Sequence, residues 1–141
     1  MTISDLSQML VHLSPELDEE TYVFVAAAEA DPKAIASFRE AEGLSLILPL
    51  GPGRSDGPPM RRIILQVYSS LEGVGLTAAV ASELAAHGIA CNMVAALHHD
   101  HLFVPADRAE EAMRLLVGLQ ERAVRDATSR PAGNGPAGPR G

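Results

Sequence analysis

The sequence contains no tryptophan, a single cysteine and no apolar stretch long enough to cross a bilayer, which would need roughly 18–20 residues. Its 141 residues include two tyrosines and three phenylalanines, so the core must be built from Ala, Val, Leu and Ile. The lone Cys91 excludes an intrachain disulfide and a cysteine-only zinc site, and it fits a reducing cytosol. Residues 1–13 also lack a basic segment before an apolar run. We therefore expect no signal peptide, a cytoplasmic location and no membrane partner.

Positive charge is scarce in most of the chain. The formal net charge is −7, and residues 1–121 hold 7 basic against 17 acidic side chains. Affinity for nucleic-acid phosphates needs clustered Lys and Arg, so this acidic body argues against a nucleic-acid partner. Hydrophobic residues make up 47% and charged residues 21% of the chain, which is typical of a folded protein. The length suits one ordinary domain or two very small ones.

The first half of the chain has the pattern of one helix followed by three strands. Apolar residues at i, i+3, i+4 and i+7 from Leu6 predict a short helix that begins near Ser4 and ends before Pro15. We interpret the acidic run from Glu16 to Glu20 as a solvated loop. Strands are then predicted at Thr21–Ala28, Ile35–Arg39 and Leu44–Leu48.

Residues 51–59 contain three glycines and three prolines, and we place a boundary there, with one half at 1–58 and the other at 60–126. Residues 127–141 are rich in Gly, Pro and Ala, and we expect them to form a disordered tail. The second half should run strand, helix, strand, strand, helix, at Ile63–Tyr68, Leu76–His87, Ile89–Leu97, Leu102–Val104 and from an N-cap at Asp107 onward.

The loop Ser69–Gly75 is the best candidate for a binding site. Backbone N–H groups at a helix N-terminus lack helical partners and can hold a carboxylate or another anion. The hydroxyls of Ser69 and Ser70 could help, and Glu72 could hold an α-amino group or a cationic side chain. The alternative is a plain strand-to-helix loop in which the glycines serve only for turning.

Residues 98–101 read His-His-Asp-His and suggest a metal site by their side chains. Neighbouring side chains in a hairpin turn point in different directions, however, and no distant His or Cys obviously completes a tetrahedral set. A turn capped by Asp100 is the favoured interpretation. We therefore predict no metal, no cofactor and no catalytic residue.

The stretch Val74–Val94, VGLTAAVASELAAHGIACNMV, resembles the ACT domain, with Gly75 at the loop glycine and Gly88 at the helix exit. Residues 95–104 are similar to the hairpin of the arginine-sensor type of ACT domain, and Asp100 lies at a matching position. Segments 21–28 and 36–48 resemble bacterial two-part ACT proteins.

The resemblance implies an α+β fold of the ferredoxin-like type, βαββαβ, with an antiparallel sheet and helices on one face. The second half offers no strand after Gln120, so it is only a βαββα unit. We predict that the αβββ first half completes or pairs with it, one of its strands filling the vacant place, because the unpaired sheet edge would otherwise be exposed.

The resemblance also implies a function: regulatory, non-catalytic binding of an amino acid at a seam between ACT units, either between the two halves of the chain or between two copies. A homodimer is the oligomer we expect by default. The alternative is a ligand-free protein–protein interaction module. Glu72 and Asp100 would suit a cationic amino acid, and Asn92 is either a donor to the ligand carboxylate or an outward-facing strand residue. The candidate ligand-binding residues are Ser69, Ser70, Leu71, Glu72, Val74, Gly75, Leu76, Asn92 and Asp100.

Overall fold

The computed structural model describes residues 5–52 and 57–129. A 3-10 turn, Ala106–Arg108, precedes the last helix. In chain order, the elements of the described residues are α1 (Leu6–Val11), β1 (Pro15–Ala27), β2 (Ala36–Glu40), β3 (Gly43–Pro49), β4 (Met60–Leu65), α2 (Leu76–Ala85), β5 (Asn92–Ala95), β6 (Asp100–Pro105) and α3 (Ala109–Ser129).

The strands form one antiparallel sheet in the order β2-β3-β1-β4-β6-β5. In a ferredoxin-like unit made of β4, α2, β5, β6 and α3, the place beside β4 belongs to a strand that follows the second helix. Here the start of β1 takes that place, with Leu17 opposite Ile63 and Pro15 opposite Leu65. This confirms the prediction that a strand of the first half completes the second.

The acidic run from Glu16 to Glu20 was expected to be a loop, and that interpretation is wrong, because the run lies within β1. The β1–β4 register shifts between Leu17 and Thr21, and Asp18 lies at this bulge. Its carboxylate accepts hydrogen bonds from the Tyr22 hydroxyl at 2.6 Å and from Arg62 Nε at 2.9 Å and Nη2 at 2.6 Å. A charge satisfied in this way allows an acidic segment to enter a sheet.

The same contacts shift the pKa values of two side chains, Asp18 and Tyr22. Burial alone would raise the pKa of Asp18, but the hydrogen bonds from the Glu20 N–H, Tyr22 and Arg62 outweigh it and hold that pKa below its ordinary value. Burial and the hydrogen bond to Asp18 raise the pKa of Tyr22 to about 12. The Asp18–Arg62 ion pair therefore joins the two halves of the chain in its charged form.

All three helices contribute to one hydrophobic core against the same face of the sheet. It is formed by Met9, Leu13, Ile63, Leu65, Val67, Leu76, Val80, Leu84, Ile89, Leu102, Val104, Ala109, Ala112 and Leu116. On the opposite face Phe103 is 1% exposed. The rings of Tyr22 and Phe24 meet it edge-on, with centroids 5.8 and 5.3 Å away. Both faces of the sheet thus bury residues from both halves.

Several element boundaries differ from those predicted. Asp5 caps α1, since the Gln8 N–H donates to its Oδ1 at 3.0 Å, while Ser4 lies outside the described residues. Asp107 is part of the 3-10 turn and does not cap α3. Residues 127–129 continue α3 and are not part of a tail, whereas residues 130–141 fall outside the described part of the chain. No helix in the described part is long and apolar enough to span a membrane.

Candidate functional site

A cleft of about 540 Å³ opens where the loop between β4 and α2 meets the N-terminus of α2 and the paired ends of β5 and β6. Its volume lies in the range of small-molecule sites. A groove of about 580 Å³ lies elsewhere, between α1 and the C-terminal part of α3, and most of the α3 residues that line it are exposed. The cleft is lined by Met9, Ser69, Ser70, Leu71, Gly73, Val74, Gly75, Leu76, Thr77, Ala78, Ala81, Ala95 and Asp100.

The cleft brings together seven of the nine residues expected to bind a ligand, namely Ser69, Ser70, Leu71, Val74, Gly75, Leu76 and Asp100. Glu72 and Asn92 do not line it. The loop and the hairpin converge because β4 and β6 are neighbouring strands, with Leu65 opposite Asp100. A strand pairing therefore joins residues about 30 positions apart.

Asp100 supplies the negative charge of the cleft. It is 7% exposed and accepts one long hydrogen bond, from Ser69 Oγ to Oδ2 at 3.3 Å. Burial raises the pKa of the Asp100 carboxyl, and the Ser69 hydroxyl and the nearby His101 and His99 only partly offset this. A buried carboxylate with so few partners favours a cationic donor beside it.

The N-terminus of α2 supplies the complementary positive end. Gly75 is its N-cap, at φ 104° and ψ −16°, and no side chain caps the helix. The first-turn N–H groups of a helix have no intrahelical acceptors, and the helix dipole adds partial positive charge there. Leu76, Thr77 and Ala78, which follow Gly75, all line the cleft. The site thus has an anion-binding end and a carboxylate.

Helix α1 forms the back of the loop. A Cβ atom on Gly73 would lie 3.3 Å from Met9 Sδ, and one on Gly75 would lie 3.0 Å from Leu6 Cδ2. The glycines therefore allow close packing of α1 as well as turning. Met9, which is fully buried and lines the cleft, was missed by the sequence analysis because its apolar helical spacing is that of any core residue.

Glu72 and Asn92 lie apart from the other candidates. The Glu72 backbone N–H donates to Ser70 Oγ at 3.0 Å, and this residue is exposed. Because Met93 packs into the core on the helix side, its neighbour Asn92 faces the other side of the sheet. There its Nδ2 donates to the Phe103 carbonyl at 3.3 Å and it lines a separate cavity of about 270 Å³. Of the two roles considered for Asn92, its position is that of an outward-facing strand residue.

The His-rich segment is divided between the turn and the two faces of the sheet. His98 and His99 lie in the turn beside Tyr68, with ring centroids 6.2 and 4.8 Å from the tyrosine ring. By strand alternation, His101 and Asp100 of β6 face opposite sides. His101 Nδ1 is buried without a hydrogen-bond partner among the described atoms. The described residues contain no group of three or more His, Cys, Asp or Glu side chains placed to hold a metal ion.

Comparison with known families gives this architecture a name. Two family models, both described as ACT domains, match in tandem, one at residues 1–56 and the other at 60–117. The chain belongs to the ACT domain family. None of the curated proteins matches the sequence. Two consecutive ACT domains indicate a regulatory, ligand-binding role.

Solved structures support the same fold. A protein of unknown function from Vibrio cholerae, described as a possible transport protein, is 41% identical with a TM-score of 0.69, over 78% of this chain and 92% of that one. A protein from Agrobacterium tumefaciens is 22% identical with a TM-score of 0.56, over 71% of this chain and 81% of that one. The second similarity supports the ferredoxin-like ACT fold alone.

Proposed function

We propose that this ACT protein is a non-catalytic regulator that binds an amino acid in the cleft beside α2. The observation that carries the proposal is the pairing of two features across one cleft. Asp100 is a buried carboxylate with a single long hydrogen bond, and the N-terminus of α2 has no side-chain cap. A zwitterion complements both features.

In this proposal the ligand carboxylate accepts hydrogen bonds from the first-turn N–H groups of α2, at Leu76 to Ala78. The ligand ammonium donates to Asp100, and Ser69 keeps that carboxylate in place through its hydroxyl. Neither contact involves bond making or breaking.

Ligand binding would stabilise the packing of the loop against α1. Gly73 and Gly75 lie so close to Met9 and Leu6 of α1 that an added Cβ would come within 3.3 Å of them, so an ordered loop favours a docked α1. A ligand shifts a conformational equilibrium by its difference in affinity for the two states. The regulatory signal in this proposal is therefore the position of α1 and the surface around it.

The mouth of the cleft supports a second proposal, a surface that docks another protein. Two apolar side chains that line the cleft are exposed, Leu71 at 67% and Val74 at 81%. Two more are exposed in the adjoining segments, Tyr68 at 49% just before the loop and Leu97 at 65% in the turn between β5 and β6. Such clusters mark interaction sites when they are contiguous. We propose that a second copy of the chain covers this surface and closes the cleft, which gives a homodimer. If no amino acid binds, the same surface favours a ligand-free interaction module.

Thermal unfolding in the presence of each of the twenty amino acids tests the proposed function. A ligand at about 100 times its dissociation constant stabilises the protein by roughly 2.7 kcal/mol, which is a measurable shift. The control is Asn92→Ala, because this residue lies on the other face of the sheet, and the variant should show the same shift in thermal unfolding as the wild type. A protein that shows no shift with any amino acid, yet loses self-association in a Leu71→Ser/Val74→Ser variant, is an interaction module.

A further inference from the structure

The charge of the cleft restricts which amino acids it can hold. Among the residues that line it, all within the described part of the chain, Asp100 is the one ionisable side chain. Glu72, the second acid on which a cationic ligand would depend, lies outside the lining. The hydroxyls of Ser69, Ser70 and Thr77 are the other polar side-chain groups.

The two charges of a bound zwitterion occupy the two charged features of the cleft, Asp100 and the N-terminus of α2. If the α-ammonium of arginine or lysine pairs with Asp100, the cationic side chain has no carboxylate to pair with. If the side chain pairs with Asp100 instead, the α-ammonium has no carboxylate to pair with. Aspartate or glutamate would bring a second carboxylate, and the lining holds no basic side chain to meet it. When a second copy of the chain closes the cleft, as proposed above, an unpaired charge inside is taken out of water, which costs several kcal/mol. The closed cleft therefore disfavours both classes.

The remaining wall is apolar and is made largely of small side chains. Ala78 and Ala81 lie on α2 and Ala95 lies on β5, while Met9 is fully buried at the back and Leu76 is 4% exposed. Small wall residues leave space that a ligand side chain can fill, and contact with apolar surface favours aliphatic groups.

We propose that the ligand of this cleft is a neutral amino acid with an aliphatic side chain, of the size of valine, leucine, isoleucine or methionine. This inference rests on the proposed function and differs from the expectation of a cationic amino acid that Glu72 and Asp100 suggested. Its physical basis is one buried carboxylate, one helix N-terminus and an alanine-lined wall in the same cleft.

Calorimetric titration of the full chain with leucine, valine, isoleucine, methionine, arginine, lysine, aspartate and glutamate tests the inference. We expect the aliphatic group to bind at least about tenfold more tightly than any charged amino acid. Equal or tighter binding of a charged amino acid overturns the inference and leaves the proposed function intact. If none of these eight binds, this inference fails, and if none of the twenty amino acids shifts thermal unfolding either, the proposed function fails with it.

A charge placed in the wall gives a second, independent test. Ala81→Glu puts a carboxylate in the wall, and Ala85→Glu, one turn later on α2 and outside the lining, is the matched control. We expect Ala81→Glu to weaken leucine binding at least about tenfold and to gain binding of arginine or lysine, while Ala85→Glu keeps the original preference. Unchanged leucine affinity in folded Ala81→Glu protein would contradict a ligand side chain at this wall.

Discussion

At the scale of single residues, the proposed binding chemistry depends on Asp100, and the burial of this carboxyl costs stability. Because burial raises the pKa of this carboxyl, the folded state binds its proton more tightly than the unfolded state does. Stability from this group is therefore greatest below the unfolded pKa and falls as pH rises through the folded pKa. Above its folded pKa the ionised Asp100 opposes folding, a cost that fits its proposed role in binding.

We expect Asp100→Asn to abolish the ligand response without lowering the free energy of unfolding at pH 7. The amide keeps a polar partner for Ser69 and removes a buried charge. Urea denaturation at pH 7 and at a pH below the folded pKa of Asp100 measures this, and the advantage of the variant should shrink at the lower pH. Wild-type ligand binding should weaken over the same range, because protonated Asp100 no longer pairs with an ammonium. A marked loss of stability at pH 7 would instead assign Asp100 a structural role.

A glycine can be required for a backbone conformation with positive φ or for lack of space for a Cβ, and Gly75 and Gly88 allow the two requirements to be compared. Both have positive φ, at 104° and 71°. A Cβ on Gly75 would lie 3.0 Å from Leu6 Cδ2, whereas a Cβ on Gly88 would have no atom of the described residues within 4 Å. We expect Gly88→Ala to cost about 1 kcal/mol for backbone conformation alone, and Gly75→Ala to cost about 1–2 kcal/mol more. Chemical denaturation measures both. Adding Leu6→Ala to Gly75→Ala should recover part of the difference, and equal costs at the two glycines would show that α1 does not press on the loop.

At the scale of elements, α1 depends on α3. Its six residues are too few to be helical alone. The Gln120 side chain of α3 binds the backbone on both sides of the C-terminal end of α1. Its Nε2 donates to the Val11 carbonyl at 2.8 Å, and its Oε1 accepts from the Ser14 N–H at 3.0 Å. Ser14 itself has φ 47°, a backbone conformation that an unsupported serine rarely adopts. Gln120 therefore fixes the helix that forms the back of the cleft.

We expect Gln120→Ala to destabilise the protein by about 0.5–1.5 kcal/mol for each of its two hydrogen bonds, because water can take its place at these exposed and half-buried backbone groups. Hydrogen exchange should accelerate first in residues 5–14, before the central strands respond. Glu121→Ala, at an exposed neighbouring position, is the control and should leave exchange in α1 unchanged. Uniform acceleration across the sheet would mean that α1 does not open separately.

At the scale of the whole molecule, the two ACT halves interlock. The core of the second half includes three side chains of the first half, Met9 of α1, Leu13 just after it and Leu17 of β1. Asp18 also pairs with Arg62 at 2.6 Å. Without residues 1–52, β4 would lose its neighbour β1, and the helix-facing side chains of β4 would lose part of their cover. An exposed sheet edge beside an open core favours aggregation over folding.

We therefore expect residues 60–129 expressed alone to give no stable monomer, and the full chain to unfold in a single transition. Far-ultraviolet circular dichroism and a probe near Tyr22 or Tyr68 should report the same midpoint in urea. Gel filtration of the fragment is the direct measurement. A monomeric fragment with cooperative unfolding would show that β1 is dispensable and that the halves are independent.

The sequence by itself determined the features that depend on near neighbours along the chain. The apolar spacing from Leu6 predicted α1, the glycines of the 69–75 loop predicted the turn into α2, and the missing last strand predicted that the first half must supply one. The ACT resemblance then placed Asp100 with that loop. These predictions succeeded because helix periodicity and turn chemistry act over a few residues, and a sheet edge needs a partner wherever that partner comes from.

Tertiary structure decided the rest, because it depended on residues distant in sequence. The acidic start of β1 is a strand since Arg61 and Arg62, more than 40 positions away, meet Asp18 there. Asn92 faces away from the cleft because strand pairing sets its side, and a shift of one residue would reverse it. Met9 became a cleft residue only when α1 docked on the glycine loop. Local pattern predicted the helices and turns, whereas contacts distant in sequence decided that residues 16–20 form a strand, and strand register and the packing between halves decided which side chains meet.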